Sequence, residues 1–404
     1  MKRSTALFAT AALLAQSVLS EVARGYVLDS TVPKAGGCPA TNHRDLTSQL
    51  NRRWSTSLPG PQVLLTVASP NSSAQLDEVE AAILQAFGIW TGVSGTTLNS
   101  GTHPGTLAPI ARTSDPNACT NDQGTNVDGL NTICFNQPSN MFVPGVLAFT
   151  RTVTADAPGV SVGSSGPSLF AGQILDADIQ FRNDGQATFA TPGALATPQG
   201  QGAYDLESLL AHELGHSLGF DHSAVWRAMM FPFAPPPGQF LGSRPTAQIP
   251  DAPLADDDRT GLRELYPDPI DSVNVGSISG RIVPANPFAL ALEPSPSAGQ
   301  PVTGIAGAQV VAVDANTGAV VAGALGGWSC NASMPPTRFD GSFVINRLPL
   351  GRNYKLYAEP IDGLAQPGDI ANAWSSLCRS DVTPPCTSPS VNVNFGTRVR
   401  PATP

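Results

Sequence analysis

The sequence predicts an α+β unit followed by an all-β sandwich, and three observations carry that prediction. Helix-period and strand-like patterns alternate up to residue 268. A helix expected over residues 204–218 carries histidines at metal-ligand spacing. From residue 277 onward only short strand-like runs with turn signals between them remain, for which an antiparallel sandwich is the simplest architecture.

The 404 residues exceed one ordinary domain and allow two structured units. With 39 glycines and 38 prolines, the chain favours a loop-rich, strand-rich body over a helical bundle. Charged residues make up 13% and the net charge is −9, so no broad basic surface exists for nucleic acid or an anionic membrane.

The chain opens with Met1, Lys2 and Arg3 and an apolar run over 6–19, the layout of a secretory signal peptide, expected over 1–25. No later stretch reaches the roughly 18 to 20 apolar residues of a transmembrane helix. The expectation is a secreted, extracellular protein.

A polar segment spans 26–52, and order is expected from Trp54. A strand is expected at 63–67. Leu76, Val79, Ile83, Phe87 and Trp90 then repeat at helical spacing, with Asp77, Glu78 and Glu80 placed in the first turn. Strands are expected at 131–135, 146–153 and 174–181. In the helix at 204–218, Leu206, Leu210, Leu214 and Leu218 share one face, Asp205 is the N-cap candidate and Glu207 lies near the positive end of the helix dipole. A Pro-rich loop at 232–253 leads to a helix capped by Asp256, Asp257 and Asp258 and closed by Tyr266 and Pro267. The first unit is thus expected over 53–268, with a linker at 269–276 and the second unit over 277–404. Its strands are expected at 278–283, 309–313, 319–321, 343–346, 354–359 and 391–395, with a hairpin loop from Asp314 to Gly318 and a flexible loop at 294–301.

Six cysteines in an exported chain point to disulfides. Cys119 with Cys134 and Cys378 with Cys386 would close short loops. Cys38 and Cys330 are left over, to pair across the units or stay free.

The chemistry sits in one run. His212 and His216 lie four residues apart on one helix face, so both imidazoles can reach one metal ion, and Glu213 lies beside them. Gly219 permits the chain to leave the helix and swing back, bringing His222 in as the third ligand. Three protein ligands leave one tetrahedral corner for water, whereas a structural zinc would want a fourth protein ligand.

This run, His-Glu-x-x-His-x-x-Gly-x-x-His, resembles the metzincin clan of zinc peptidases. Ala228, Met229, Met230, Phe231 and Pro232 resemble the matrixin form of the Met-turn, with Met230 eight residues past His222. Ala86 to Trp90 resembles the matrixin first helix, Ser223 follows the third histidine as in matrixins, and Asp257 and Asp258 through Leu265 and Tyr266 resemble the closing helix. The resemblance covers roughly 53–267. It implies an α+β metzincin catalytic domain, a mixed twisted sheet with an active-site helix, and one catalytic zinc ion on His212, His216 and His222. It implies a secreted zinc endopeptidase acting on peptide or protein substrates through activated water, with Glu213 as general base and Met230 packed beneath the metal. Residues 146–150 resemble the matrixin edge strand, making Leu147, Ala148 and Phe149 candidates for pairing with an extended substrate; the alternative is an ordinary sheet strand.

The chain also departs from the family. The structural zinc of animal-type matrixins uses three histidines and an aspartate, but only His43 and His103 lie outside the motif here, so a second zinc is not expected. Asp115, Asp122, Asn126 and Asp128 supply oxygen ligands in a loop yet match no calcium-loop spacing. Cys38 is either a latency cysteine for the fourth zinc position or a disulfide partner. The stretches Gly276 to Val283, Gly307 to Ala312 and Asp340 to Phe343 resemble carboxypeptidase regulatory-like domains, which implies spacing or binding of a surface or polymer. A second functional reading is a secreted binding or adhesion protein using the peptidase fold as scaffold; a third is a zinc hydrolase acting on something other than peptides.

Overall fold

The computed structural model describes residues 8–12, 27–28, 52–55, 63–66, 73–99, 111–113, 119, 127–137, 142, 144–155, 157–163, 165–223, 228–241, 253–268, 274–283, 309–318, 320–325, 327–328, 339–359 and 398–401. The first unit is built from β1 (Phe8–Ala12), β2 (Val27–Leu28), β3 (Val63–Thr66), α1 (Ser73–Thr91), β4 (Ala111–Thr113), β5 (Asn131–Gln137), β6 (Ala148–Thr154) and β7 (Ile174–Arg182). It continues with β8 (Phe189–Ala190), α2 (Pro192–Leu195), β9 (Tyr204–Asp205), α3 (Leu206–Ser217), β10 (Phe220–Asp221) and α4 (Asp256–Leu265). Seven strands follow: β11 (Val275–Arg281), β12 (Gln309–Asp314), β13 (Val320–Leu325), β14 (Gly327–Trp328), β15 (Phe339–Pro349), β16 (Tyr354–Glu359) and β17 (Arg398–Pro401).

The main sheet runs β1-β6-β7-β5-β3-β4. Strands β4, β3, β5 and β7 are mutually parallel, and β6 joins β7 antiparallel, so the sheet is mixed. Residues 8–12, within the expected signal segment, pair antiparallel with the outer edge of β6.

Strand β7 is buried along its whole length. Its period-two alternation puts Leu175, Ala177, Ile179 and Phe181 on one face and Asp176, Asp178, Gln180 and Arg182 on the other. The buried polar face is tied to neighbouring backbone: Thr132 N donates to Asp178 Oδ1, Gly129 N to Asp176 Oδ2, and Arg182 Nη1 to Val146 O. The apolar face supports α1 and α3, whose Ile83, Phe87, Trp90, Leu210 and Leu214 share one core.

Helix α1 begins at Ser73, about a turn before its apolar repeat, so the expected acidic residues fall beyond the first turn. Asp77 and Glu80 instead bind Arg112 of β4, at 2.6 and 2.5 Å, and Glu78 Oε2 accepts from Thr191 Oγ1 at 3.0 Å. The Cys119–Cys134 disulfide is present. Cys38, Cys330, Cys378 and Cys386 lie outside the described residues, as do His43, His103, Asp115, Asp122, Asn126 and the strand expected at 391–395. Asp128 is described, and it closes a local turn by accepting from Leu130 N at 2.7 Å.

The C-terminal strands form two antiparallel sheets, β11-β15-β14 and β13-β12-β16-β17. The first begins at Val275, within the stretch expected as linker. Asp314 closes the β12–β13 turn as expected, its Oδ1 accepting from Asn316 N and Thr317 N, with Gly318 at φ 73°. Val310, Val321, Ala322, Phe343 and Ile345 belong to the same apolar cluster as Leu262 and Leu265 of α4, so the two parts of the chain are packed together without a solvent gap.

Candidate metal centre

Helix α3 is the scaffold, and all twelve of its residues are buried. Asp205 is its N-cap, accepting from Ser208 N at 2.9 Å, and Glu207 stands in the first turn. The helix is two residues shorter at its start than its periodicity predicts, because Tyr204 and Asp205 pair as β9 with β8. At its other end the chain reverses at Gly219, whose φ is 104° and where a Cβ would lie 2.1 Å from Arg52 O. No L side chain suits that position. Strand β10 then carries the chain back to His222.

His212, His216 and His222 converge, with ligand atoms all within 4.8 Å of one another. The first two rings are fixed from behind: His212 Nδ1 lies 2.7 Å from Met229 O and His216 Nδ1 lies 2.9 Å from Phe220 O. A carbonyl can only accept, so each Nδ1 carries the proton and each Nε2 presents a lone pair inward. The two Nε2 atoms are 3.2 Å apart. Tetrahedral zinc with Zn–N bonds near 2.05 Å sets neighbouring nitrogens about 3.3 Å apart. The residues therefore fit the ion.

Burial keeps the His212 and His222 rings neutral. It lowers the His212 pKa to about 3, with the neighbouring His216 adding to the effect, and holds His222 well below its ordinary value, with His212 adding there. Neutral imidazole is the form that binds a metal.

Glu213 is fully buried, and burial raises its carboxyl to about 8 against the opposing hydrogen bond from Thr150. A divalent cation among the histidines acts in the other direction and favours the carboxylate. Thr150 Oγ1 lies 2.7 Å from Glu213 Oε2 and 2.9 Å from Glu213 O. Glu213 Oε1 is buried with no hydrogen-bond partner among the described residues.

Met230 packs against Gly215 of α3, where an added Cβ would meet Met230 Sδ at 2.2 Å and Trp90 Cζ2 at 2.7 Å. The turn that holds Met230 is pinned by Asp258, whose carboxylate accepts from Met229 N at 2.8 Å, Met230 N at 3.2 Å and Ala255 N at 2.9 Å. Ser223 joins it, its N donating to Met230 O at 2.7 Å. Of the edge-strand candidates, Ala148 and Phe149 lie in β6 and Leu147 immediately precedes it; all three are buried.

Sequence reasoning brought the three histidines, Glu213 and Met230 together. It missed the contacts of Thr150, Asp257 and Asp258 with this centre. The available signals were a hydroxyl at the inward phase of an apolar strand, two residues after Ala148, and adjacent carboxylates at the start of a helix that packs on the Met-turn.

Helix α3, the glycine reversal, the three converging histidines and the turn at Met230 thus stand beside a mixed sheet in which β6 runs antiparallel to both of its neighbours. A family model described as Matrixin matches residues 156–267, so that segment is similar to matrixins. A 64-residue stretch is 42% identical to Metalloendoproteinase 1 of Glycine max, covering 16% of this chain. The match spans 17% of the length of that relative. The matched region starts after β6.

Proposed function

We propose that the protein is a secreted zinc endopeptidase of matrixin type, with Glu213 as its general base. One observation carries the reading: two inward Nε2 atoms at zinc spacing and a third histidine beside a buried glutamate that is not needed as a ligand. Bound zinc would polarise the attacking water and the peptide carbonyl.

The chain's own groups do the rest. As the water oxygen bonds to the carbonyl carbon, Glu213 Oε1 takes its proton. Glu213 then delivers that proton to the amide nitrogen as the carbon–nitrogen bond breaks, and no covalent enzyme intermediate forms. Substrate lies along β6 as an added antiparallel strand. The pairing of 8–12 with β6, Ala11 opposite Phe149 and Ala12 opposite Ala148, supports that geometry, because it places an extended chain on this edge.

Export is supported by the basic start and apolar run over 1–25 and by the Cys119–Cys134 disulfide. The division we propose is a peptidase unit over 53–268, a short linker that ends where β11 begins at Val275, and from there a carboxypeptidase regulatory-like sandwich that binds a surface or polymer. The two antiparallel sheets there support the sandwich.

The test is cleavage of an unfolded protein, with and without chelator, by the purified chain and by Glu213→Ala. The expected result is chelator-sensitive cleavage by the former and none by the latter, with one zinc bound to each. Undiminished cleavage by Glu213→Ala would refute the assignment of the base. Zinc binding without any turnover in the unaltered chain would favour the binding-protein reading instead.

A further inference from the structure

We infer that Thr150 is a positioning residue for Glu213, holding one carboxylate oxygen so that the other is left to take the proton; this rests on the peptidase reading above. Thr150 sits in β6, the strand assigned to substrate pairing, opposite Ile179 of β7. Pleating turns its side chain to the α3 side and those of Phe149 and Arg151 to the other. Thr150 is 1% exposed, and a hydroxyl buried there costs stability unless it is bonded, whereas valine would fill the same volume without that penalty.

Both acceptors within reach belong to Glu213. Oγ1 stands 2.7 Å from Oε2 and 2.9 Å from the backbone oxygen of the same residue. A hydroxyl has one proton and two acceptor lone pairs. Towards a carboxylate, Thr150 donates to Oε2. Once Glu213 holds the proton at Oε1, Oε2 is still an acceptor and Thr150 goes on donating to it. The contact at Oε2 therefore survives both halves of the reaction with no heavy atom moving.

The geometry answers a mechanical need. The terminal torsion of a glutamate is broad, so an unclamped carboxylate would sample orientations in which neither oxygen faces the water. Thr150 fixes that torsion and leaves Oε1, which has no partner among the described residues, as the working atom. The residue also ties the base to the strand that takes the substrate, so substrate and base share one reference frame.

Two measurements test this. In steady-state cleavage of a peptide substrate, Thr150→Val should lower kcat roughly tenfold to a hundredfold, with KM within about twofold and zinc content unchanged; Thr150→Ser should recover kcat to within about threefold. Unchanged kcat in Thr150→Val, or a serine variant as impaired as the valine one, would overturn the proposal. The second measurement needs no activity. In chemical denaturation of the metal-free protein, a double-mutant cycle of Thr150→Val and Glu213→Ala should be non-additive by about fivefold in the unfolding equilibrium constant. Additive effects would remove the bond itself. If the cycle is coupled but the unaltered chain cleaves nothing, the peptidase reading fails and the contact stands as a structural one.

Discussion

Asp257 and Gly323 join the two parts of the chain. The backbone N–H of Gly323, in β13, donates to Asp257 Oδ1 at 3.0 Å, while Ser223 Oγ, the residue after His222, donates to Oδ2 of the same carboxylate at 2.5 Å. One buried side chain thus ties the metal centre to the C-terminal sheets. Asp257→Ala would leave both donors unsatisfied, and stability should fall by about 3 kcal/mol in urea denaturation. A loss under about 1 kcal/mol would mean that the two parts are not coupled through this carboxylate.

Asp258 sets a pH dependence. Burial, with neighbouring Asp257 adding to it, raises its carboxyl from 3.8 to about 7 despite three backbone N–H donors. The native state then holds a proton that the unfolded chain has released, so stability is fully present below about pH 4 and declines as pH rises to about 7. The expected decline is a few kcal/mol, since a tenfold difference in proton affinity between the folded and unfolded chains corresponds to about 1.4 kcal/mol. Stability measured across pH 4 to 8 should fall more for the unaltered protein than for Asp258→Asn; parallel curves would contradict it.

Gly215 is a steric prediction. Because a Cβ there would lie 2.2 Å from Met230 Sδ, Gly215→Ala must displace the methionine side chain from this helix. Overpacking of this kind costs about 1 to 3 kcal/mol, and zinc affinity should fall with it. Thermal unfolding with and without zinc, together with competition against a chromophoric chelator, would measure both. An unchanged zinc affinity would show that the methionine does not support the site.

The Cys119–Cys134 bond closes a 15-residue separation. Its reduction should destabilise the protein by about 3 kcal/mol if chain entropy dominates. Denaturation of Cys119→Ser/Cys134→Ser beside the oxidised protein checks the figure, and equal midpoints would count against it.

The histidine cluster was legible because its information is local. His212, Glu213, His216, Gly219 and His222 declare a helix and a reversal within eleven residues, and α3 and the φ of 104° at Gly219 bear them out. The β7 pattern was legible in the same way, as an alternation. The contacts that tune the centre were not, since Thr150 and Glu213 are 63 residues apart and Asp257 and Gly323 are 66 apart. Nothing in a window around either partner states what the other is. The start of α1 was misplaced for a related reason: Asp77 and Glu80 read as first-turn residues until Arg112, from another strand, supplies their counter-charge.

The C-terminal end of α3 is closed by groups from distant parts of the chain. Trp54 Nε1 donates to Ser217 O across 163 positions, Tyr266 OH donates to Leu218 O across 48, and Trp54 N donates to that same tyrosine oxygen across 212. Contacts of such separation form late, because closing long loops costs entropy before any contact compensates for it. The helix that carries His212 and His216 is therefore secured only when both flanks of the unit have docked. A partly synthesised or partly folded chain would lack a finished metal centre, so competence for chemistry and completion of the fold arrive together.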